Sequence, residues 1–585
     1  MKRNYIGLAS TLHDSALAIV NAEGTVVFAE ATERYLQNKR SINCAPDFID
    51  RTLNVVDKYC DRDAELVIAH SWSADTTSEM TSSLEALKQE EAKLLKVMGE
   101  VPDFMKVHLA SREFVFESQA RTVGHAGVTL KYELNLREGR KYAPELVQRR
   151  YDHHRTHAAA AAYTSPFDEA VCAVLDGYGE GSSTGVYRFR NGRLDTIEGI
   201  SDQSSASLGF LYTMLCVACG FGPLTGEEWK VMGLAPYGEI NREHYELLRS
   251  FIQVDGVRLT APPDAVLLKL SQKIHEIRRK KHESPWAAAH LARAGQQVFC
   301  DIYFEFLNNL HALGISDNLV LGGGCALNSA ANGQILKYTP FKNVHIFSAP
   351  GDDGNALGAA MLAYREDHPN ASYAPKVQSP YLGTAMSDDA LAKLQKFGPS
   401  KQERLPFPEL CKRAAQAIAD GKFVGWVQGR AEFGPRALGN RSILADARSP
   451  DMKDRINARV KFREEFRPFA PAILHEHGPE YFHDYQDTPY MERTLEFKDS
   501  VLSKVPGVVH KDNTGRLQTV KKEYNEKFYR LVHAFYDITG VPLVCNTSFN
   551  VMGKPIIHTV EDALAVFYTS GLDVLVIEDL FIQKA

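Results

Sequence analysis

No stretch of this sequence is apolar for the roughly 20 residues that a helix needs to cross a bilayer, so no membrane span is expected. An excess of positive charge is missing too. The net charge is −6 at pH 7, which disfavours a dedicated nucleic-acid binder. The N-terminus, Met1-Lys2-Arg3-Asn4, runs straight into a strand-like segment without the regions of a signal peptide. Cysteines number only 9 in 585 residues and sit mostly in apolar runs (Cys172, Cys300, Cys411, Cys545), as reduced core thiols of a cytoplasmic protein do. Cys216 and Cys219 form a lone CxxC without the second pair that a zinc site takes. What remains is an ordinary soluble composition on a chain too long for one core, so two or more domains are expected.

Against that background the stretch Asp152-His153-His154-Arg155-Thr156-His157, followed by Ala158 to Ala162, stands out. Alanine is the strongest helix former, so a helix begins near the histidines. His153 and His157, four apart, share a helix face and can offer two imidazoles to one metal ion. A metal site needs further ligands, usually carboxylates or water. Taken alone, such a motif is more often a partly buried helix whose histidines bond to backbone.

Residues 5–29 read as strand, polar loop, strand, turn, strand. Residues 171–197 repeat the plan, with Asn191-Gly192 as the hairpin turn. A duplicated meander with a polar loop after its first strand is the plan of the actin, hexokinase and Hsp70-like ATPases, where the two loops face each other across nucleotide phosphates. Two unrelated hairpins would give the same pattern. Residues 65–72 read as a strand. Residues 78–120, rich in Glu, Lys, Leu and Ala, read as helices forming a lid, a substrate wall or the arm of a homodimer.

Further on, Lys230 ends a Gly-rich loop and can approach a phosphate. A buried strand over 318–321 leads into Gly322-Gly323-Gly324 and then Asn328. Glycines followed by a helix start admit a nucleotide, although the GKS/T ending of a phosphate loop is missing. Asp352 and Asp353 open a small-residue helix. Aspartates there are often caps, and become ligands when a metal or phosphate lies opposite. The stretch from His368 to Pro380 reads as a linker. Beyond it lies a dense basic cluster that includes Arg430, Arg436, Arg441, Lys461, Arg463 and Arg467. Its first members alternate with Gly429, Gly434, Pro435 and Gly439. A merely solvated face does not need that pattern, so a small anionic ligand is favoured. Asn546 to Ser548 end a strand in a polar turn suited to phosphate.

With these residues in place, the chain resembles the ATP-dependent O-carbamoyltransferases of antibiotic and nodulation-factor biosynthesis (tobramycin, cephamycin and Nod-factor type) along nearly its whole length. The resemblance rests on HDSALAIV (13–20), HHRTHAAAA (153–161), LDGYGEGSST (175–184), KVMGLAPYG (230–238), LGGGCALNS (321–329), PGDDGNALGAA (350–360), GRAEFGPRALGNRSILADAR (429–448), KFREEFRPFAP (461–471) and CNTSFN (545–550). The motif ATERYLQNKR (31–40) is similar to the branch acting in saxitoxin-type toxin pathways.

The resemblance implies an α/β chain: a duplicated actin/Hsp70-like (Kae1-like) domain at 1–375, a linker at 376–400, and an α+β YrdC-like domain at 401–585. The second domain would make carbamoyl adenylate from carbamoyl phosphate and ATP, with Mg2+. The first would transfer the carbamoyl group to a hydroxyl of a small-molecule alcohol, of which a saxitoxin or gonyautoxin is one. The implied metal ligands are His153, His157, Asp176 and Asp353, with iron(II) or another divalent metal. Arg436, Lys461, Arg467 and Ser548 would contact carbamoyl phosphate, with Arg430, Arg441 and Asn546 as further candidates in the same loops. Lys230, Gly322, Gly323, Gly324 and Asn328 are the nucleotide candidates. His13 matches the histidine beside the transferred group. Histidine suits a general base, although a turn cap would use the same residue. Trp229, a large ring just before Lys230, departs from the pattern and puts the geometry of that loop in doubt. The alternatives are a tRNA threonylcarbamoyl-adenosine type transferase, and an ATP-regulated actin-fold binding protein that would not need the arginine-glycine cluster.

Overall fold

Strand pairing repeats itself in the first half of the chain. A computed structural model describes residues 2–98, 103–136, 147–197, 206–398 and 401–584. In it β1 (Arg3–Ala9), β2 (Ala16–Val20), β3 (Val26–Ala31), β4 (Glu65–His70) and β5 (Val147–Arg150) form one sheet in the order β3-β2-β1-β4-β5. Next come β6 (Glu169–Gly179), β7 (Ser182–Arg190), β8 (Arg193–Thr196) and a small hairpin, β9 (Gln253–Asp255) with β10 (Arg258–Thr260). Then β11 (Asn318–Gly322) and β12 (Asn343–Ile346) complete a second sheet, β8-β7-β6-β11-β12. In both sheets the first three strands are antiparallel and the last three parallel. Equal order and equal polarity make the two sheets copies of one plan, the duplicated arrangement of actin-like ATPases.

The turns follow their residues. Asn191 and Gly192 both take positive φ, 48° and 77°, as a two-residue hairpin requires. The expected Gly/Ser-rich loop after β6 is shorter than the sequence suggests. The ladder runs on to Gly179, and only Glu180 and Gly181 turn, at φ 50° and 87°. Pairing is irregular between Leu175 and Gly179, a bulge that re-aims Asp176.

Two small-residue helices, His153–Tyr163 and Asn355–Asp367, pack against each other and against the sheets. Backbones come so close that a Cβ on Gly358 would lie 1.9 Å from the Thr156 carbonyl oxygen, and one on Gly7 1.8 Å from that of Ala356. The alanine run is therefore a packing surface as well as a helix signal. The helical stretch after β4 is the pair Thr76–Met98 and Asp103–His125, followed by Val128–Leu136. The rest of that insert, beyond 136, lies outside the described residues.

The stretch 376–400, expected as a linker, begins as an extended strap. Leu382 accepts from the N–H of Ala29, Gly383 donates to Ala431, and Ala385 pairs with Arg430. A helix, Asp388–Phe397, follows. The remaining strands are β13 (Gln402–Arg404), β14 (Val424–Val427), β15 (Arg441–Ala445), β16 (Ala470–Leu474), β17 (Arg493–Glu496), β18 (Thr514–Val520), β19 (Leu543–Ser548), β20 (Val574–Ile577) and β21 (Leu580–Gln583). They form a nine-stranded mixed sheet, β13-β21-β20-β14-β15-β19-β16-β18-β17. Its register brings the start of β15, the start of β16 and the end of β19 to one edge, since Ser442 and Ala470 face Ser548 and Asn546.

All nine cysteines are free, and all but Cys44 are buried. Burial pushes the Cys219 thiol up to about 12 and also raises Cys216, so the CxxC pair is inert core. Among the described residues no helix is long and apolar enough to cross a membrane.

Candidate active site

Asp152 caps the helix His153–Tyr163, accepting from the Arg155 N–H at 2.8 Å. His153 and His157 then face one another with Nε2 atoms 3.2 Å apart. Asp176 enters from the bulge in β6, with Oδ2 3.3 Å from His153 Nε2 and 3.6 Å from His157 Nε2. Its Oδ1 accepts from the Gly324 N–H at 2.8 Å. Asp352 closes the group, with Oδ1 3.3 Å from His157 Nε2 and 3.7 Å from His153 Nε2. One donor atom from each of the four lies within 4.8 Å of the others. Two imidazole nitrogens and two carboxylates converging in burial fit a divalent cation. The electrostatics call for positive charge there as well. Burial lowers the His157 pKa, but Asp176 and Asp352 more than offset it and hold the pKa near 10.

The fourth ligand expected from the resemblance, Asp353, is corrected to Asp352. In the tight turn Asp352–Gly354 successive side chains diverge by about 120°. Asp353 therefore turns out of the group and accepts from the Gly354 N–H at 3.0 Å. Burial, with Asp14, Glu33 and Asp352 nearby, pushes its carboxyl up to about 8.

His13 follows β1 on the loop beside this group. Its Nδ1 lies 3.0 Å from Asp14 Oδ2, 3.4 Å from Asp352 Oδ2 and 2.9 Å from Arg40 Nη2. Two carboxylates, which can only accept, and the Arg40 guanidinium, which can only donate, meet at Nδ1, so the tautomer of the ring follows from which of them it pairs with. Arg40 donates from Nε and Nη2 to Asp14 at 3.0 and 2.9 Å, and holds that carboxyl below its usual range despite burial. The sequence did not single out Arg40. It sits at φ 60° in a run with Gln37, Ser41 and Asn43 also at positive φ, strain that persists only where the surroundings impose it.

The helical insert supports both histidines. Gln119 accepts from the Leu12 N–H, in the His13 loop. Trp72 stacks on His153 with ring centroids 4.1 Å apart, and packs with Met80 and Val123 of the insert.

A cavity of about 1760 Å³ reaches from His13, Asp14, Arg40 and Asp176 to a wall of cations at the edge of the nine-stranded sheet. Pockets for a single drug-sized ligand run roughly 300–1,000 Å³. The wall holds Arg436 from the loop before β15, Lys461, Arg463 and Arg467 from the chain before β16, and Arg516 from β18. A π-type turn at Asn457–Lys461, ending in Phe462 at φ 50°, aims Lys461 inward. Its Nζ donates to Asn550 Oδ1 at 2.7 Å, and the Ser548 hydroxyl donates to the same oxygen at 2.8 Å. Burial lowers Arg436 and Arg467 to about 10, with Glu464 opposing the shift of Arg467. Lys461 falls through burial and the nearness of Arg463 and Arg467. Arg516 falls through burial and the nearness of Arg436, Arg463 and Arg467. Arg436 has no hydrogen-bond partner among the described residues. Buried like charges this dense call for an anion.

The other expected site residues do different work. Arg430 donates to the carbonyls of Gly383 and Val27 at 2.9 Å each, tying the strap to β3. Arg441 is fully buried and donates to the carbonyls of Gln428, Asn440, Thr384 and Gly429 at 2.8–3.0 Å. Neither lines the cavity: backbone carbonyls take the terminal N–H groups of both, although Arg441 Nε is left without a partner. Asn546 does line it, held by Gln518 at 2.7 Å. Lys230 is clamped between Glu227 and Glu464, 2.6 Å from each. Gly322 to Gly324 lead into a tight turn, Gly324–Leu327, and a one-turn helix, not into a long helix N-terminus. Gly323, at φ 87°, presses on Leu175, where a Cβ would lie 2.3 Å from the carbonyl oxygen, and Gly324 holds Asp176. Asn328 caps the one-turn helix and pairs with Gln296. Gly324 and Asn328 nevertheless face the cavity.

Within the wall, Arg516 is the cation the sequence did not reveal. It stands alone in an ordinary strand pattern, and only the parallel register of β18 with β16, Gln518 opposite Ala472, carries it to the wall.

Comparison with known proteins gives a consistent result. Residues 4–361 match the family model "Carbamoyltransferase N-terminus", and residues 415–584 match "Carbamoyltransferase C-terminus". Nodulation protein NolO of Bradyrhizobium diazoefficiens is 34% identical over 74% of this chain and 79% of its own. Nodulation protein U of Sinorhizobium fredii is 28% identical over 93% of both. Among solved structures, full-length HypF in its phosphate- and nucleotide-bound form overlaps 62% of this chain and 46% of its own, at 11% identity and a TM-score of 0.34.

Proposed function

The chain belongs to the carbamoyltransferase family, and on that footing we propose that it makes carbamoyl adenylate from carbamoyl phosphate and ATP, then passes the carbamoyl group to an alcohol. One observation carries this reading. A single cavity joins a wall of cations at one end to His13, and to Asp176 of the His153/His157/Asp176/Asp352 group, at the other. Two anionic substrates need such a wall, and a labile mixed anhydride needs a shielded way from it.

In the first step water cleaves carbamoyl phosphate into carbamate and inorganic phosphate, and the carbamate oxygen attacks the α-phosphorus of ATP, forming carbamoyl adenylate and releasing pyrophosphate. Arg436, Lys461, Arg467 and Arg516 neutralise the phosphates and hold them in line. In the second step the acceptor oxygen attacks the carbamoyl carbon and AMP leaves. In the tautomer that pairs Nδ1–H with Asp14 or Asp352, His13 Nε2 takes the acceptor proton. His153, His157, Asp176 and Asp352 would hold a divalent metal, iron(II) in the proposed form, whose charge offsets that on the departing AMP.

In this reading residues 1–375 transfer and residues 401–585, a YrdC-like unit, form the adenylate. The acceptor proposed is the hydroxymethyl group of a small polar natural product, with saxitoxin-type toxins first to be tested. The deciding experiment is pyrophosphate release from ATP by the purified chain. Release that depends on carbamoyl phosphate supports the reading, and release indifferent to it rejects the adenylate.

A further inference from the structure

Arg467 stands among cations that repel it. Its guanidinium lies near enough to Lys461, Arg463 and Arg516 to depress the pKa of each. Some feature of the fold must hold it in place before an anion arrives. The indole of Trp229 is that feature: the guanidinium carbon lies 3.5 Å from the ring centroid. Trp229 lies in the first turn of the short helix Glu228–Leu234 in the first half of the chain, whereas Arg467 precedes β16 in the second. Beside the stack, Lys230 bonds Glu464 at 2.6 Å, and Glu464 in turn lies 3.3 Å from Arg467 Nη1.

The geometry matters for anion binding. A stacked guanidinium offers its face to the ring and keeps its in-plane N–H groups for a phosphate, which a lysine in the same place cannot do. Of those groups Nη1 is shared with Glu464, and Nε is buried without a partner.

We propose that Trp229 is a positioning residue, a platform from the first half of the chain that holds Arg467 against its like-charged neighbours in the pose that binds a substrate phosphate. This rests on the reading of the cation wall as the carbamoyl phosphate and ATP site. It assigns the departure at Trp229 a role, because the adenylate-forming wall is then completed by a residue from the transfer half.

The test uses the full chain with Trp229→Leu, Trp229→Phe and Arg467→Lys. Two readouts are taken: calorimetric binding of inorganic pyrophosphate, and KM against kcat for pyrophosphate release driven by carbamoyl phosphate. Trp229→Leu is expected to weaken pyrophosphate binding and raise the KM about tenfold with a smaller change in kcat, while Trp229→Phe recovers most of the loss. Arg467→Lys, which keeps the charge and loses the flat face, is expected to match Trp229→Leu, and the double variant to be no worse than either. Wild-type binding in Trp229→Leu, or no recovery in Trp229→Phe, overturns the proposal. If Trp229→Leu does not fold, Trp229→Phe and Arg467→Lys decide: near-native binding in the first with loss in the second upholds it, and any other pair rejects it. A wild type that binds inorganic pyrophosphate but ignores carbamoyl phosphate rejects the carbamoyl reading while the platform is still judged on pyrophosphate.

Discussion

His13 and His157 are held by the same carboxylate: Asp352 places Oδ1 3.3 Å from His157 Nε2 and Oδ2 3.4 Å from His13 Nδ1. The proposed base and the proposed metal group are therefore one rigid unit. His13 faces the transfer end of the cavity and lies outside the cation wall. His13→Asn should leave pyrophosphate release within about threefold of wild type and lower carbamoyl transfer by about 10²–10⁴-fold. Mass spectrometry of a panel of alcohols, scoring the gain of one carbamoyl group, checks the second half. A variant with full transfer activity removes His13 from the role.

The neighbouring aspartates give a second, sharper test. Asp352→Asn removes one of the converging carboxylates and should lower bound metal by well over tenfold, as should His157→Ala. Asp353→Asn leaves the four donors intact and should retain metal near the wild-type level. Elemental analysis of the three purified variants distinguishes them. Retention in Asp352→Asn with loss in Asp353→Asn would return the ligand role to Asp353.

The choice between those aspartates shows what the sequence could not express. Residue type and spacing mark Asp352-Asp353 as a pair. Which of them faces the histidines depends on the backbone angles of a three-residue turn. Arg430 and Arg441 are similar cases. A run of arginines among glycines suggests an anion, yet guanidinium groups also satisfy buried carbonyls, and only the packed loops separate the two uses. The duplicated meander was legible because both copies keep short, buried apolar runs separated by turn residues, down to Asn191-Gly192. Arg516 was not, because nothing local distinguishes a strand arginine that meets a distant loop from one that meets solvent.

Arg516 also makes a quantitative prediction. It shares the wall with Arg436 and Arg467, and its Nε is buried without a partner. Arg516→Ala should raise the KM for carbamoyl phosphate or ATP by about 10–100-fold, the effect of losing one charge-assisted contact to phosphate. Because β18 pairs on both sides, melting temperature should be recorded alongside. An unchanged KM in a folded variant would place Arg516 outside the substrate site.

Glu30 links the two halves and sets a pH dependence. Its buried carboxylate bonds Arg51 at 2.8 Å, lies 3.3 Å from His558 and accepts from the Thr384 N–H at 2.9 Å. Burial raises its pKa, but His558, Arg51 and the Thr384 N–H outweigh that and hold it well below the usual 4.5. A carboxyl depressed in the folded state stabilises above its unfolded pKa, and the contribution fades as pH falls below that value. Glu30→Gln should therefore cost about 3 kcal/mol at pH 7, and its urea midpoint should approach that of wild type below pH 4.5. A gap that stays constant from about pH 5 down to about pH 2 would exclude the charged network as the cause.

The insert makes the last prediction. Trp72 lies flat on His153, 24° between ring planes, and is itself packed by Met80 and Val123 from the insert helices. A ring so stacked fixes the direction in which Nε2 points, and metal affinity depends on that direction more than on the presence of the imidazole alone. Trp72→Ala frees the His153 ring and should weaken metal binding about tenfold, whereas Trp72→Phe keeps a flat surface and should lose less. Competition with a chelator measures both. Cavity formation would destabilise the insert in either variant, so melting temperature alone cannot discriminate; the ratio of metal affinities can. If Trp72→Ala binds metal as wild type does, the insert supports the fold around the histidines without tuning them, and its contribution to the site narrows to Gln119 and the loop that carries His13.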